Sequence, residues 1–201
     1  MSASNSAQEL QHLLEHFSRM VEMGTRLPEE DTPLGMLSRQ FFESNWRNCR
    51  DGLLRKTSRL RVRPEPSPAP RIFRFEIDSP YKRKRGPDAP VELAAGPICG
   101  TIYYRPDLFV NNDDPAIAVA LDRDQWLLHP NYSRKLGFIC LGELPRSPFP
   151  FPLDLLLENL IYPLCTYQHK RPVHPFDLEA ARYFALDPSA MEGLTPAAPL
   201  Y

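Results

Sequence analysis

Apolar positions recur with three successive periods along this chain, and the changes of period divide it. Residues 7 to 23 set Leu10, Leu13, Leu14, Phe17, Met20 and Val21 on one face at helical spacing, which predicts a helix closed by Gly24. Thr32 before Pro33 reads as the N-cap and first position of a second helix, whose stripe of Leu37, Phe41, Phe42, Trp46 and Cys49 runs toward Gly52. From Arg59 the period becomes two. Leu60 and Val62, then Ile72, Phe73, Phe75 and Ile77, predict strands on either side of the proline-rich stretch 64–70. A loop over 78–96 precedes a strand through Ile98, Cys99, Thr101, Ile102, Tyr103 and Tyr104, ended by Pro106 and Asp107. A turn at 111–115, a strand Ile117 to Leu121 and the approach Trp126-Leu-Leu to His129 follow. Connections too short for crossover helices make these strands an antiparallel meander.

The helical period then returns. Leu153, Leu155, Leu156, Leu157, Leu160, Ile161 and Leu164 surround most of a helix ending near Cys165, as suits a rod laid across a core. Asp177 reads as the N-cap of a short helix from Leu178 to Leu186. Helices, a meander and helices again predict an α+β fold with one sheet face covered. The expected units are an N-terminal helical extension (1–30), a core (31–186) and an irregular tail (187–201). No internal repeat and no glycine-rich phosphate loop is found.

Composition narrows the function classes. The 201 residues are 42% hydrophobic, enough for a real core, and 24 basic against 25 acidic residues leave a formal charge of -1. No global field draws the chain to nucleic acid or an anionic membrane, so neither is expected as a partner. No apolar run approaches the roughly 18 residues of a membrane span, and the start Met-Ser-Ala-Ser-Asn-Ser is unlike a signal peptide, which points to the cytoplasm. The four cysteines, Cys49, Cys99, Cys140 and Cys165, form no Cys-x-x-Cys pair, which argues against a disulfide framework and against a zinc site. Cys49 falls on a helix stripe and reads as core. The 23 prolines gather between periodic segments, implying many short elements with stiff connections.

Candidate chemistry centres on Cys140. Among Phe138, Ile139 and Leu141 a lone cysteine has a bland reading as a small buried hydrophobe. Three neighbours favour a nucleophile. Gly137 and Gly142 bracket it, which suits close approach of another chain. Asn131 offers an amide able to stabilise an oxyanion, where one placed donor is worth about 3 kcal/mol. Pro145, Pro148, Pro150 and Pro152 stiffen the exit. Two lesser patterns remain. His12-Leu-Leu-Glu15-His16 matches a zinc-peptidase spacing without a companion glutamate motif and reads as a solvated helix face. The run Lys82-Arg-Lys-Arg85 is either an acidic-partner or phosphate patch or a solvated loop.

His129-Pro130-Asn131, then Gly137-Phe-Ile-Cys140-Leu and a proline-rich turn before a helix, resembles the active-site segment of ubiquitin-conjugating enzymes. Here Cys140 lies eleven positions after His129, one more than in the family, with the extra residue placed around Ser133 to Lys135. Residues 148–152 resemble the family's loop before its crossover helix. Asp177-Leu-Glu-Ala-Ala-Arg-Tyr183 is similar to its Asn-Pro-Glu-Ala-Ala helix start, and Tyr104-Arg-Pro106 and Pro115 to Val119 match more loosely. Roughly 130 residues are covered, the densest motifs lying between His129 and Tyr183.

The resemblance implies a ubiquitin-conjugating-type fold, with an extra N-terminal helix and a shortened C-terminal helical part. It implies that Cys140 takes the C-terminal acyl group of a ubiquitin-like modifier from an activating enzyme as a thioester and passes it to a protein amine acceptor. Asn131 would stabilise the tetrahedral intermediate or brace the loop, while His129 and Pro130 would be structural. No cofactor and no metal is implied. The family's acidic acceptor-side residue has no counterpart in Tyr167 to His174, leaving His169 or His174 as the base, or else a partner. Similar enzymes occur in bacterial operons that pair them with an activating enzyme and a ubiquitin-like protein for antiphage defence. The competing reading is a non-catalytic module of the same fold that holds a modifier or partner.

Overall fold

The computed structural model describes residues 32–105, 109, 116–141, 150–168, 175–194 and 200. The expected helix at 7–23 with its His12, Glu15 and His16 pattern, the turn at 111–115, Gly142, Pro145, Pro148, His169 and His174 lie outside the described residues.

The first described element is α1, Pro33–Asn48. Its start follows from the sequence: the Thr32 hydroxyl accepts the Gly35 N–H at 3.0 Å, and Pro33 occupies a position where a missing N–H costs nothing. Gly52 does not stop the rod. A π-helical turn, Cys49–Leu53, carries it into α2, Leu54–Lys56, because one more turn buries Leu53 beside Cys49. Leu37, expected on the inward stripe, is 41% exposed, while Phe42, Asn45 and Cys49 face the core.

Alternation gives the sheet. Strands β1 (Leu60–Pro64), β2 (Ile72–Asp78), β5 (Pro97–Tyr104) and β6 (Ile117–Leu121) pair antiparallel in that order, with β8 (Phe138–Ile139) and β7 (Tyr132–Ser133) beyond β6. The result is an α+β fold with a six-stranded antiparallel sheet. Period-two burial puts Phe73, Phe75, Ile77, Ile98, Ile102, Tyr104, Ile117, Val119 and Leu121 on one face. Across β2 and β5, Phe75 opposes Gly100. The phenyl ring fills the space a side chain at Gly100 would need, since a Cβ there would lie 2.6 Å from Phe75 Cζ and 2.5 Å from the Ala120 carbonyl oxygen.

The covering layer is α1 with a second rod, α3 (Leu153–Leu156), a π turn Leu157–Ile161 and α4 (Tyr162–Cys165). Leu153, Leu156, Leu157, Ile161 and Leu164 are buried against Phe42, Phe73 and Tyr104. Pro152, preceding α3, offers no capping side chain. Asn45 of α1 supplies one across the core, accepting the Leu153 N–H through Oδ1 at 2.7 Å.

Between β2 and β5, where a plain loop is expected, the chain forms a hairpin of β3 (Tyr81–Arg83) and β4 (Glu92–Ala94). Part of the basic run therefore has structural partners: Arg83 pairs with Glu92 at 2.9 Å, and Lys84 pairs with Glu179 of α5 (Leu178–Leu186). Beyond α5 the chain runs through turns, yet Ala190 and Leu194 are buried with Leu128, Ala180 and Phe184 in a second apolar cluster. Among the described residues no helix is long and apolar enough to cross a membrane.

Candidate active site

The segment from His129 to Cys140 folds as a tight hairpin. Tyr132 opposes Ile139 and Ser133 opposes Phe138 across β7 and β8, and the turn closes where Leu136 and Gly137 both donate to the Ser133 carbonyl, at 3.2 and 2.6 Å. Gly137 takes φ +83°, the left-handed region that glycine enters without strain. Arg123 reaches over the turn and donates to the Leu136 carbonyl at 3.1 Å.

The hairpin brings the polar tripeptide beside the cysteine. The Cys140 N–H donates to the Asn131 carbonyl at 2.7 Å, so the two residues share a rung of the ladder. Asn131 and His129 are each 4% exposed, and Cys140, at the end of β8, is partly exposed. The His129 ring is tied into the turn: Nδ1 accepts the Asn131 N–H at 3.0 Å. That bond requires Nδ1 unprotonated, so the geometry gives this ring a holding role. Pro130 contributes its carbonyl, which accepts N–H groups from Phe176 at 2.9 Å and Asp177 at 3.2 Å.

The other cysteines differ in setting. Cys49 is wholly buried, and burial, with Asp154 adding, pushes its thiol up to about 12; burial pushes Cys165 up to about 12 as well. Both are core residues. Cys99 lies half-buried opposite Glu76, on the sheet face turned away from α1 and the second rod, and burial followed by the nearby Asp122 charge raises its thiol. Cys99 is held by the Gln125 side-chain amide, which accepts its N–H at 3.0 Å and donates to its carbonyl at 2.8 Å, whereas Cys140 is bonded through its backbone to the turn that begins at His129.

Asp177 caps α5, as the sequence leads one to expect, by accepting the Ala180 N–H at 2.9 Å. Its second oxygen takes Nε of Arg134, on the hairpin turn, at 2.6 Å. Glu179 accepts from Arg134 at 2.5 Å and from Lys84. Both acidic side chains are thereby committed to holding the hairpin against α5.

Tyr167, where the sequence reading begins the acceptor-side loop, lies in the turn that closes α4. After α4 the Tyr167 N–H returns to the Leu164 carbonyl at 3.1 Å and the Gln168 N–H to the Pro163 carbonyl at 2.8 Å, with Tyr167 at φ +55°. Its ring stands 4.9 Å from that of His129. No local signal marks this contact, since 38 positions separate Tyr167 from His129 in the chain. Among the described residues no group of three or more histidine, cysteine, aspartate or glutamate side chains could hold a metal ion. No family model, curated protein or solved structure matches the chain.

Proposed function

We propose that this chain is a ubiquitin-like-protein conjugating enzyme, a divergent member of the ubiquitin-conjugating family. The observation that carries the reading is the 2.7 Å bond between the Cys140 N–H and the Asn131 carbonyl, which sets the partly exposed Cys140 on the same rung as the last residue of a His-Pro-Asn turn inside an antiparallel α+β fold.

In this reading the Cys140 thiolate attacks the carbonyl carbon of a modifier's C-terminal thioester on an activating enzyme. The bond to Cys140 forms, the bond to the activating enzyme's sulfur breaks, and that sulfur leaves as a thiolate. Discharge repeats the exchange with an amine. Nitrogen attacks the carbonyl, the amine proton passes to a base, and Cys140 departs as thiolate. Asn131 supports the oxyanion in each tetrahedral intermediate. His129 and Pro130 hold the turn. His169 and His174 are the candidate acceptor-side bases, because Asp177 is occupied by its cap and by Arg134. The place of action is the cytoplasm, beside an ATP-using activating enzyme, and a bacterial antiphage operon is the setting that best fits the resemblance.

The test is incubation with cognate activating enzyme, modifier and ATP, followed by a non-reducing gel. The reading requires an adduct that thiol reagent removes and that Cys140→Ala does not form. An adduct that persists in Cys140→Ala sinks it.

A further inference from the structure

We infer that Tyr167 is a positioning residue for the Cys140 site, an inference that rests on the conjugating reading for its catalytic meaning and on hydrogen-bond geometry for its substance. Strand β3 runs antiparallel to the approach to the site: Lys84 N–H donates to the Trp126 carbonyl at 3.0 Å, Arg83 opposes Leu127, and Leu128 N–H donates to the Lys82 carbonyl at 2.8 Å. An antiparallel ladder would add the reciprocal bond, Lys82 N–H to the Leu128 carbonyl. That bond is replaced. The Tyr167 hydroxyl is inserted between the two, accepting the Lys82 N–H at 3.1 Å and donating to the Leu128 carbonyl at 3.1 Å.

The hydroxyl acts as a spacer at the last rung before His129. It holds the Leu128 carbonyl away from β3, and the next residue begins the turn whose Asn131 carbonyl fixes Cys140. The ring of Tyr167 packs beside His129 at 4.9 Å on one side and Phe184 at 5.1 Å on the other. Two features separate this from ordinary core filling. Packing alone would be met by phenylalanine, which has no hydroxyl to bridge the ladder. Helix closure alone would favour glycine or asparagine at φ +55°, where a bulky side chain is disfavoured. The position keeps a tyrosine against its backbone preference, and the hydroxyl is used twice.

The comparison is Tyr167→Phe against Leu194→Ala in the full-length protein. Leu194→Ala removes apolar contact from the second cluster, in which Leu128 and Tyr167 also pack, but leaves the Tyr167 hydroxyl unchanged, and so controls for lost packing around the bridge. Amide hydrogen exchange by NMR is expected to be at least about tenfold faster at Asn131 and Cys140 in Tyr167→Phe than in Leu194→Ala. The ¹⁵N shift of His129 Nδ1 should move only in the former. With cognate partners, single-turnover loading of Tyr167→Phe should slow by about tenfold at saturating charged activating enzyme, leaving the half-saturating concentration unchanged. Exchange and loading equal to those of Leu194→Ala overturn the positioning role. An unmodified wild type overturns the conjugating reading instead, and leaves the exchange comparison intact.

Discussion

Arg134 donates Nε to Asp177 at 2.6 Å, while the other oxygen of that carboxylate caps the Ala180 N–H at 2.9 Å. One side chain thereby starts α5 and fastens it to the hairpin that ends at Cys140. Asp177 is 8% exposed and Arg134 remains in partial contact with solvent, so the cap contributes more than the ion pair. Asp177→Ala should destabilise the protein by about 2 kcal/mol, most of it from the lost cap. Chemical denaturation measures this. Asp177→Asn should recover much of it by keeping the capping oxygen.

Glu179 carries a pH prediction. Bonds from Lys84 and then Arg134 hold its carboxyl below the ordinary glutamate range. A depressed value contributes stability above the unfolded-state value, about 4.3, and loses it as pH falls through the folded value. The difference in thermal stability between wild type and Glu179→Gln should therefore be full at neutral pH and shrink in the acid limb. A difference that grows on acidification would contradict the assignment.

Asn45 ties the two helical rods together through a single acceptor. Replacing it with leucine leaves the buried Leu153 N–H without its oxygen, at an expected cost of about 2 to 3 kcal/mol. Gly100 has a steric counterpart. Gly100→Ala drives a methyl group into the Ala120 carbonyl and the Phe75 ring and should cost about 2 kcal/mol or more. Equilibrium unfolding of both variants tests the core.

The cysteines should separate by access. Iodoacetamide at neutral pH is expected to label Cys140 and Cys99 in the native protein and to spare Cys49 and Cys165 until it unfolds, because those thiols are enclosed and shifted up to about 12. Peptide mass mapping reads the pattern.

How much of this was legible depended on distance along the chain. The Thr32 and Asp177 caps, the alternation of β2, β5 and β6 and the apolar rod from Leu153 to Cys165 are local patterns, and each stands where the sequence places it. The β3 and β4 hairpin was missed because Lys82, Arg83 and Glu92 carry no apolar alternation. Their support comes from Tyr167 and Glu179, far away in sequence. The apolar stripe that runs toward Gly52 does not reveal the π turn beyond it, whose burial of Leu53 carries the rod one more turn. At the candidate site His129, Asn131 and Cys140 were visible through the family resemblance. The Asn131 to Cys140 rung and the Tyr167 bridge were not, since both are set by pairing across turns.

The most direct test of the account is the chemical identity of a modifier adduct at residue 140. With cognate activating enzyme, modifier and ATP, the wild type should gain the modifier's mass less one water on Cys140 and lose it to thiol reagent. Cys140→Ser should carry an ester that resists thiol and yields to hydroxide. Modification of any residue that persists in Cys140→Ala, or a thiol-labile adduct in Cys140→Ser, would contradict the assignment of Cys140 as the acyl carrier.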